Sequence, residues 1–291
     1  MSKLRFEEFS SHLVEELSTL CKDDENVGIT ESTKVNVSVP VAVYSIKGMQ
    51  VAPAIRVDHL YQVCDGDYGK AMEFFRENAP TGKELLHKIS NEYDEIHVDC
   101  YSGIMPQLIS KKQNAGLLDS VISVDFLDMA LIARKVVSID EKGMTSFVLT
   151  DSVFNKFAKD TTIDEYFDML VNSIDVDDIR FTTMTGMLQS MVPKVELPLE
   201  DIDMYVLTNK ANLNGAGVIA SPKVQEYVYK KMKGSYIILP SSIHEVIILP
   251  DIHDIDYLRD MVLDINSTVV SPEDYLSDQV YRYDGEKIDI A

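Results

Sequence analysis

The chain has 291 residues, 45% of them hydrophobic and 26% charged, which suits one large globular domain or two modest ones and excludes a disordered or fibrous chain. The 48 acidic side chains against 27 basic ones leave a net charge of −21, which disfavours direct binding to nucleic acid or to an anionic membrane surface. No apolar run approaches the roughly 18 residues of a membrane span, and the amphipathic start Met-Ser-Lys-Leu-Arg-Phe-Glu-Glu lacks the apolar centre of a signal peptide.

Phe6, Phe9, Leu13, Leu17 and Leu20 recur at steps of three and four, predicting an amphipathic helix over 3–21, which the polar run Asp23 to Asn26 ends. From Val35 to Val43 the pattern becomes alternation, with the valines on one face and Asn36, Ser38 and Pro40 on the other. That is a half-buried strand, and Pro40 places it at a sheet edge or a bulge. Lys47-Gly48 is a turn, and Met49 to Val57 returns as the hairpin partner. Residues 67–92 are helical in pattern with a break at Pro80-Thr81-Gly82, and 95–101 read as a strand.

Ser123 is placed to cap a helix running to Val137. Its Phe126, Leu127, Met129, Leu131, Ile132 and Val136 are apolar nearly all round, as in a central, buried helix. Phe147 to Thr150 is a short strand. Thr162 and Glu165 have the spacing of a capping box, at the head of a helix that uses Ile163, Tyr166, Phe167, Leu170 and Ile174. Pro193 and Pro198 flank an acidic connector. The chain is then either one continuous domain or two regions, 1–192 and 193–291.

Met204 to Thr208 and Gly217 to Ala220 read as strands. Ser221-Pro222 is an N-cap with proline at the first helical position; Val224, Tyr227, Val228 and Met232 face inward, and Gly234 is the stop. Tyr236 to Leu239 and Val246 to Leu249 are uninterrupted apolar runs, which predicts strands covered on both faces. Ile255, Leu258, Met261, Val262 and Ile265 make another amphipathic helix. Ser271-Pro272-Glu273-Asp274 opens a short one, and Val280 to Tyr283 closes with a strand. Helices and strands mix without regular βαβ alternation. The predicted class is α+β, with a mixed, largely antiparallel sheet and packed helices.

Gly215-Ala216-Gly217-Val218-Ile219-Ala220 matches G-x-G-x-x-A. Dinucleotide binding needs those glycines directly after a strand and at a helix N-terminus, whereas here six residues intervene and the helix starts after the motif. His244-Glu245 begins like a zinc-protease motif, but Ile248 stands where its second histidine belongs. Asp251, His253, Asp254 and Asp256 form an acidic cluster with no second ligand set, in a loop leading to a helix whose first turn favours acids. His97 and Asp99 share a face of the predicted 95–101 strand, as a surface or core contact. No cofactor and no metal is implied.

Pro240-Ser241-Ser242-Ile243-His244-Glu245 joins two covered strands, so its polar side chains collect at the end of the sheet. Ser241 or Ser242 with His244 and Glu245 could form a nucleophile, base and orienter, but neighbours in one hairpin rarely attain that geometry and no G-x-S-x-G elbow is present. Serines that satisfy turn amides are the plainer reading. With Thr208, Asn209 and Asn214, this loop is the candidate ligand or partner site.

Three cysteines, Cys21, Cys64 and Cys100, with no C-x-x-C, predict small buried thiols in a reducing compartment and hence a cytoplasmic protein. Residues 160–203 hold 11 acidic and 2 basic residues, and 251–278 hold 8 and 1. These acids are interleaved with apolar residues at core-facing spacing, so they read first as solvated faces and second as a surface for a basic partner.

The strings Met204 to Lys210 (MYVLTNK), Leu213 to Gly217 (LNGAG), Tyr236 to Pro250 (YIILPSSIHEVIILP), Val262 to Val269 and Ser271 to Tyr281 (SPEDYLSDQVY) resemble an uncharacterised bacterial family of unknown function, often encoded near mobile-element genes. The resemblance is specific over about 203–285 and looser before it, where helix, hairpin and the 124–129 segment follow the same order. It implies a bacterial cytoplasmic origin and supplies no activity. Three readings follow: a non-enzymatic interaction or accessory protein, a hydrolase using the 241–245 loop, and an acidic DNA mimic of anti-restriction type.

Overall fold

The computed structural model describes residues 4–19, 21–48, 52, 54–74, 102–140, 143–158, 160–191 and 203–291. The chain divides into two compact units, Met1–Asp99 and Cys100–Ala291. It is an α+β protein, and every strand pairing among the described residues is antiparallel. The connector 193–198, the 95–101 segment with His97 and Asp99, the Pro80-Thr81-Gly82 break and Cys100 lie outside the described residues.

In the first unit the predicted N-terminal helix is Phe6–Thr19, with Phe9, Leu13 and Leu17 buried. They pack with Val27, Ala42, Val57 and Leu60, from a three-stranded sheet and a following helix, Val57–Val63. The sheet runs β1 (Glu25–Thr33), β2 (Ser38–Ile46), β3 (Ala54–Arg56). The valine alternation therefore belongs to a strand that starts three residues later than predicted. Val35 and Asn36 form the hairpin tip instead, with Asn36 in the left-handed region (φ 65°), a conformation that asparagine tolerates better than most residues. β2 is the central strand, but Pro40 sits one residue beyond its last partner pair with β3, Val41↔Arg56, so its missing N–H leaves that ladder intact. Strand β1 was hidden because its sequence, Glu-Asn-Val-Gly-Ile-Thr-Glu-Ser-Thr, buries only Val27.

The second unit contains two sheets. In the first, β6 (Met129–Asp140) is central, with β4 (Ile104–Ser110) on one side and both β5 (Ser123–Phe126) and β7 (Gly143–Val148) on the other. The helix predicted over 123–137 is thus a β-hairpin. Leu127, at φ 58°, and Asp128 make its tight turn. A short apolar run without clear period fits a doubly covered strand as well as a buried helix, and Met129 to Ala133 are indeed all buried. Asp128 fixes the turn against the rest of the unit, accepting hydrogen bonds from Tyr281 Oη (2.6 Å) and Ser277 Oγ (2.7 Å). The Thr162/Glu165 capping box is formed as predicted, heading the helix Ile163–Asn172, which buries Tyr166, Phe167, Leu170 and Val171.

The second sheet has the order β13 (Ile288–Ile290), β12 (Tyr281–Tyr283), β10 (Tyr236–Leu239), β11 (Val246–Pro250), β9 (Tyr205–Asn209), β8 (Ile179–Thr183). β10 and β11 are central, as their apolar runs predict. Ile237, Leu239 and Leu249 pack on Leu258 and Val262 of the helix Ile255–Thr268, while Tyr236 on the opposite face reaches Gln225 of the helix Pro222–Met232. That helix starts at Ser221-Pro222. Lys233 (φ 61°), one residue before the predicted Gly234, takes the left-handed position that ends it. Ser271 to Asp274 form turns rather than a helix.

Gly215–Ala220 is a 3₁₀ turn, not the predicted strand. It lies between β9 of one sheet and β4 of the other, and its glycines allow that approach. A Cβ on Gly217 would meet the Pro106 carbonyl carbon at 2.8 Å and Gln107 Cα at 3.2 Å, while one on Gly215 would meet Asn209 N at 2.6 Å and the His244 oxygen at 2.8 Å. The glycines serve sheet-to-sheet packing.

Burial raises the phenol pKa of Tyr236 and of Tyr281, and the Asp128 carboxylate pushes Tyr281 further the same way. In the unfolded chain these phenols ionise near pH 10. Their contribution to stability is therefore complete below about pH 10 and is lost as pH rises above it, because only the unfolded state releases the protons. The chain has 14 tyrosines and no tryptophan, so phenolate absorbance reads them directly. The expected titration has a lagging fraction that ionises in one cooperative step together with loss of circular dichroism. A single smooth curve with native dichroism throughout would contradict the packing described.

Candidate functional site

The seven residues singled out by the sequence meet beside the 215–220 turn. Asn209, at the end of β9, closes the 209–213 turn on itself: its Nδ2 donates to the Leu213 oxygen (2.8 Å) and its Oδ1 accepts from Leu213 N–H (3.3 Å). Asn212 and Asn214 both adopt positive φ (54° and 51°), which brings the Asn214 N–H round to His244 Nδ1 at 3.0 Å. A backbone N–H can only donate, so Nδ1 is the acceptor and the ring proton sits on Nε2, which faces Asp274 Oδ1 at 3.2 Å. The His244 carbonyl accepts from Thr208 Oγ1 (2.7 Å) and Gly215 N–H (3.0 Å). Thr208 is completely buried.

The rest of the loop closes separately. Ser241 Oγ and Ser242 Oγ both donate to Glu245 Oε1, at 3.1 Å and 2.8 Å, and Ser242 Oγ accepts from His244 N–H at 3.0 Å. Ser242 N–H reaches the Glu245 carbonyl, and Ile243 N–H the Asp274 carbonyl. Serine, histidine and glutamate are thus neighbours, but the imidazole bonds to Asn214 and Asp274 and both hydroxyls bond to Glu245. The serine-to-imidazole bond that activates a nucleophile is replaced by bonds that shape the loop. His244 lies in a tight loop entering β11, so no helix presents it as a metalloprotease ligand.

Three members of the network are not among the residues singled out by the sequence. Asn214 Oδ1 accepts from Gln107 Nε2 (2.9 Å), Gln107 Oε1 accepts from Arg134 Nε (2.7 Å), and Arg134 Nη1 donates to Ser146 Oγ (3.0 Å). Burial lowers the Arg134 guanidinium pKa to about 10, which still leaves it charged at neutral pH. A polar chain therefore runs from β7 and β6 through β4 and Asn214 to His244 and Asp274, linking the two sheets of the unit. Gln107, buried inside the apolar strand Ile104–Ser110, and Arg134, in the run Met-Ala-Leu-Ile-Ala-Arg, are the polar interruptions that could have flagged it.

The acidic cluster at 251–256 is committed to structure. Asp251 pairs with Arg282 (2.9 Å), Asp254 caps the Ile255–Thr268 helix through Asp256 and Tyr257 N–H, and Asp256 pairs with Arg259 (2.8 Å). Among the described residues, no group of three or more His, Cys, Asp or Glu converges as metal ligands do, and no helix is long and apolar enough to cross a membrane.

No curated protein and no solved structure matches the chain. A family model does, across the first helix, both units and the polar network. The chain belongs to DUF5688, a family of unknown function, whose model matches residues 6–285.

Proposed function

We propose that the chain is a non-enzymatic cytoplasmic protein that binds a basic protein partner through an acidic face. The observation that carries this reading is the commitment of His244: both ring nitrogens serve internal bonds, and the adjacent serines serve Glu245. The side chains that a hydrolase would need are organising a loop. What the molecule turns outward is charge. Residues 160–178 contain Asp160, Asp164, Glu165, Asp168, Asp175, Asp177 and Asp178, no lysine and no arginine, and all seven carboxylates are exposed. Asp178 meets Lys210 at 3.0 Å. Such a face steers a basic partner and is screened beyond about 8–10 Å at physiological salt.

The test is affinity capture from the native host with the wild-type chain and with Asp164→Asn, Asp168→Asn, Asp175→Asn and Asp177→Asn combined. The expected result is a basic partner whose capture weakens steeply with salt and is lost in the neutralised variant. Capture that ignores both salt and neutralisation would contradict the reading.

A further inference from the structure

At the β8 edge of the six-stranded sheet, Phe181, Thr182, Thr183, Tyr205, Tyr227 and Lys231 line a groove of about 420 Å³. Its wall is aromatic. The Phe181 and Tyr205 rings stack at 5.1 Å with planes 19° apart, and Tyr227 meets Phe181 edge-on at 6.3 Å. The register explains the stack: Phe181 pairs with Leu207 and Thr183 with Tyr205, so the two rings are diagonal neighbours on one sheet face. Tyr227 and Lys231 come from one face of the Pro222–Met232 helix, one turn apart, and the Lys231 ammonium stands 5.3 Å from the Tyr227 ring centre.

The local charge runs against that of the whole molecule. Residues 222–233 carry Lys223, Lys230, Lys231 and Lys233 against Glu226 alone. Of the carboxylates near the groove residues along the chain, Glu226 meets Lys230 at 2.6 Å and Asp178 meets Lys210 at 3.0 Å, while Asp203, two residues before Tyr205, is exposed. Among the described residues, Lys231 has an aromatic ring beneath it and no carboxylate beside it.

We propose that this groove binds a small planar aromatic anion, with its ring on the Phe181–Tyr205–Tyr227 wall and its acidic group at Lys231. The volume falls within the range of small-molecule sites. Stacked and edge-on rings offer a ring-shaped ligand both faces and edges, and Thr182 and Thr183 complete the lining. The ammonium gains an anionic partner while keeping its contact with the Tyr227 face. An aryl carboxylate and a nucleoside monophosphate share this chemistry, and the lysines of residues 222–233 favour such an anion here. The groove adjoins the acidic run, whose Asp175, Asp177 and Asp178 lead into β8, but the proposal does not depend on the partner reading.

The test is ligand titration of the full chain by ¹H–¹⁵N NMR, using 4-hydroxybenzoate and AMP as ring-plus-anion probes. Adenosine supplies a ring alone and inorganic phosphate an anion alone. The expected result is saturable binding of at least one ring-plus-anion probe at millimolar concentration or below, with shifts at 181–183, 205, 227 and 231. The two partial probes should bind at least about tenfold more weakly, and Lys231→Ala and Tyr227→Ala should each weaken the full probe by about fivefold or more. Lys231 is exposed, so its variant keeps the fold, which far-UV dichroism checks. The probe that saturates identifies the class. No saturation by either full probe at about 10 mM, or binding unchanged in both variants, overturns the proposal.

Discussion

Gly217→Ala is expected to destabilise the Cys100–Ala291 unit by about 3 kcal/mol or more, near the upper end for a single methyl inserted into a packed interior. The new Cβ would meet main-chain atoms, the Pro106 carbonyl and Gln107 Cα, in a strand hydrogen-bonded to β6 along its length. Backbone in a paired strand cannot swing aside as a side-chain tip can, so the 215–220 turn must retreat from β4. The Gln107–Asn214 bond links the same two segments and would be stretched by that retreat. Gly116→Ala is the control: nothing lies within 4 Å of its Cβ position, and a change within about 1 kcal/mol is expected. Urea unfolding followed by circular dichroism measures both. Equal midpoints for the two variants would show that the turn does not wedge the sheets together.

The parts of the fold that the sequence disclosed are those whose signals are local. The Thr162/Glu165 box, the Pro222 helix start and the apolar runs of β10 and β11 each lie within a few residues and formed as expected, although the Ser221 side chain makes no capping hydrogen bond. The 123–137 segment went the other way because its apolar positions satisfy both periods. The deciding feature is a tight turn at Leu127-Asp128, and leucine is a poor advertisement for a positive φ. Its stability comes from distant residues, since Tyr281 and Ser277 hold the Asp128 carboxylate. Gly217 to Ala220 looked like a strand for a related reason: the close approach of β4, which fixes the turn, is a tertiary fact.

The candidate site shows the same division. Thr208, Asn209, Asn214 and the 241–245 loop were recognisable as polar groups collected at strand ends, and they do meet. Gln107, Arg134 and Asp274, which decide what the meeting means, come from β4, β6 and a turn far along the chain. With Asp274 on Nε2 and Asn214 N–H on Nδ1, His244 becomes a structural bridge; a serine in either place would have made it a base.

His244→Ala therefore carries the second large effect. It removes the acceptor of the Asn214 N–H and the partner of Asp274 together, and it loosens the 212–214 turn that delivers Asn214 to Gln107. Unsatisfied partly buried groups of this kind cost about 1–3 kcal/mol, and a loss of about 2 kcal/mol is expected. Asparagine places an acceptor near the Nδ1 position, so His244→Asn should recover part of the loss, whereas a catalytic base is not rescued by an amide. The most direct measurement is the urea midpoint of the wild type and these two variants, read beside a broad esterase and phosphatase screen. The structural account predicts a graded order of stability, wild type above His244→Asn above His244→Ala, with no turnover by any of them. Wild-type turnover abolished in a His244→Ala protein of unchanged stability would contradict it.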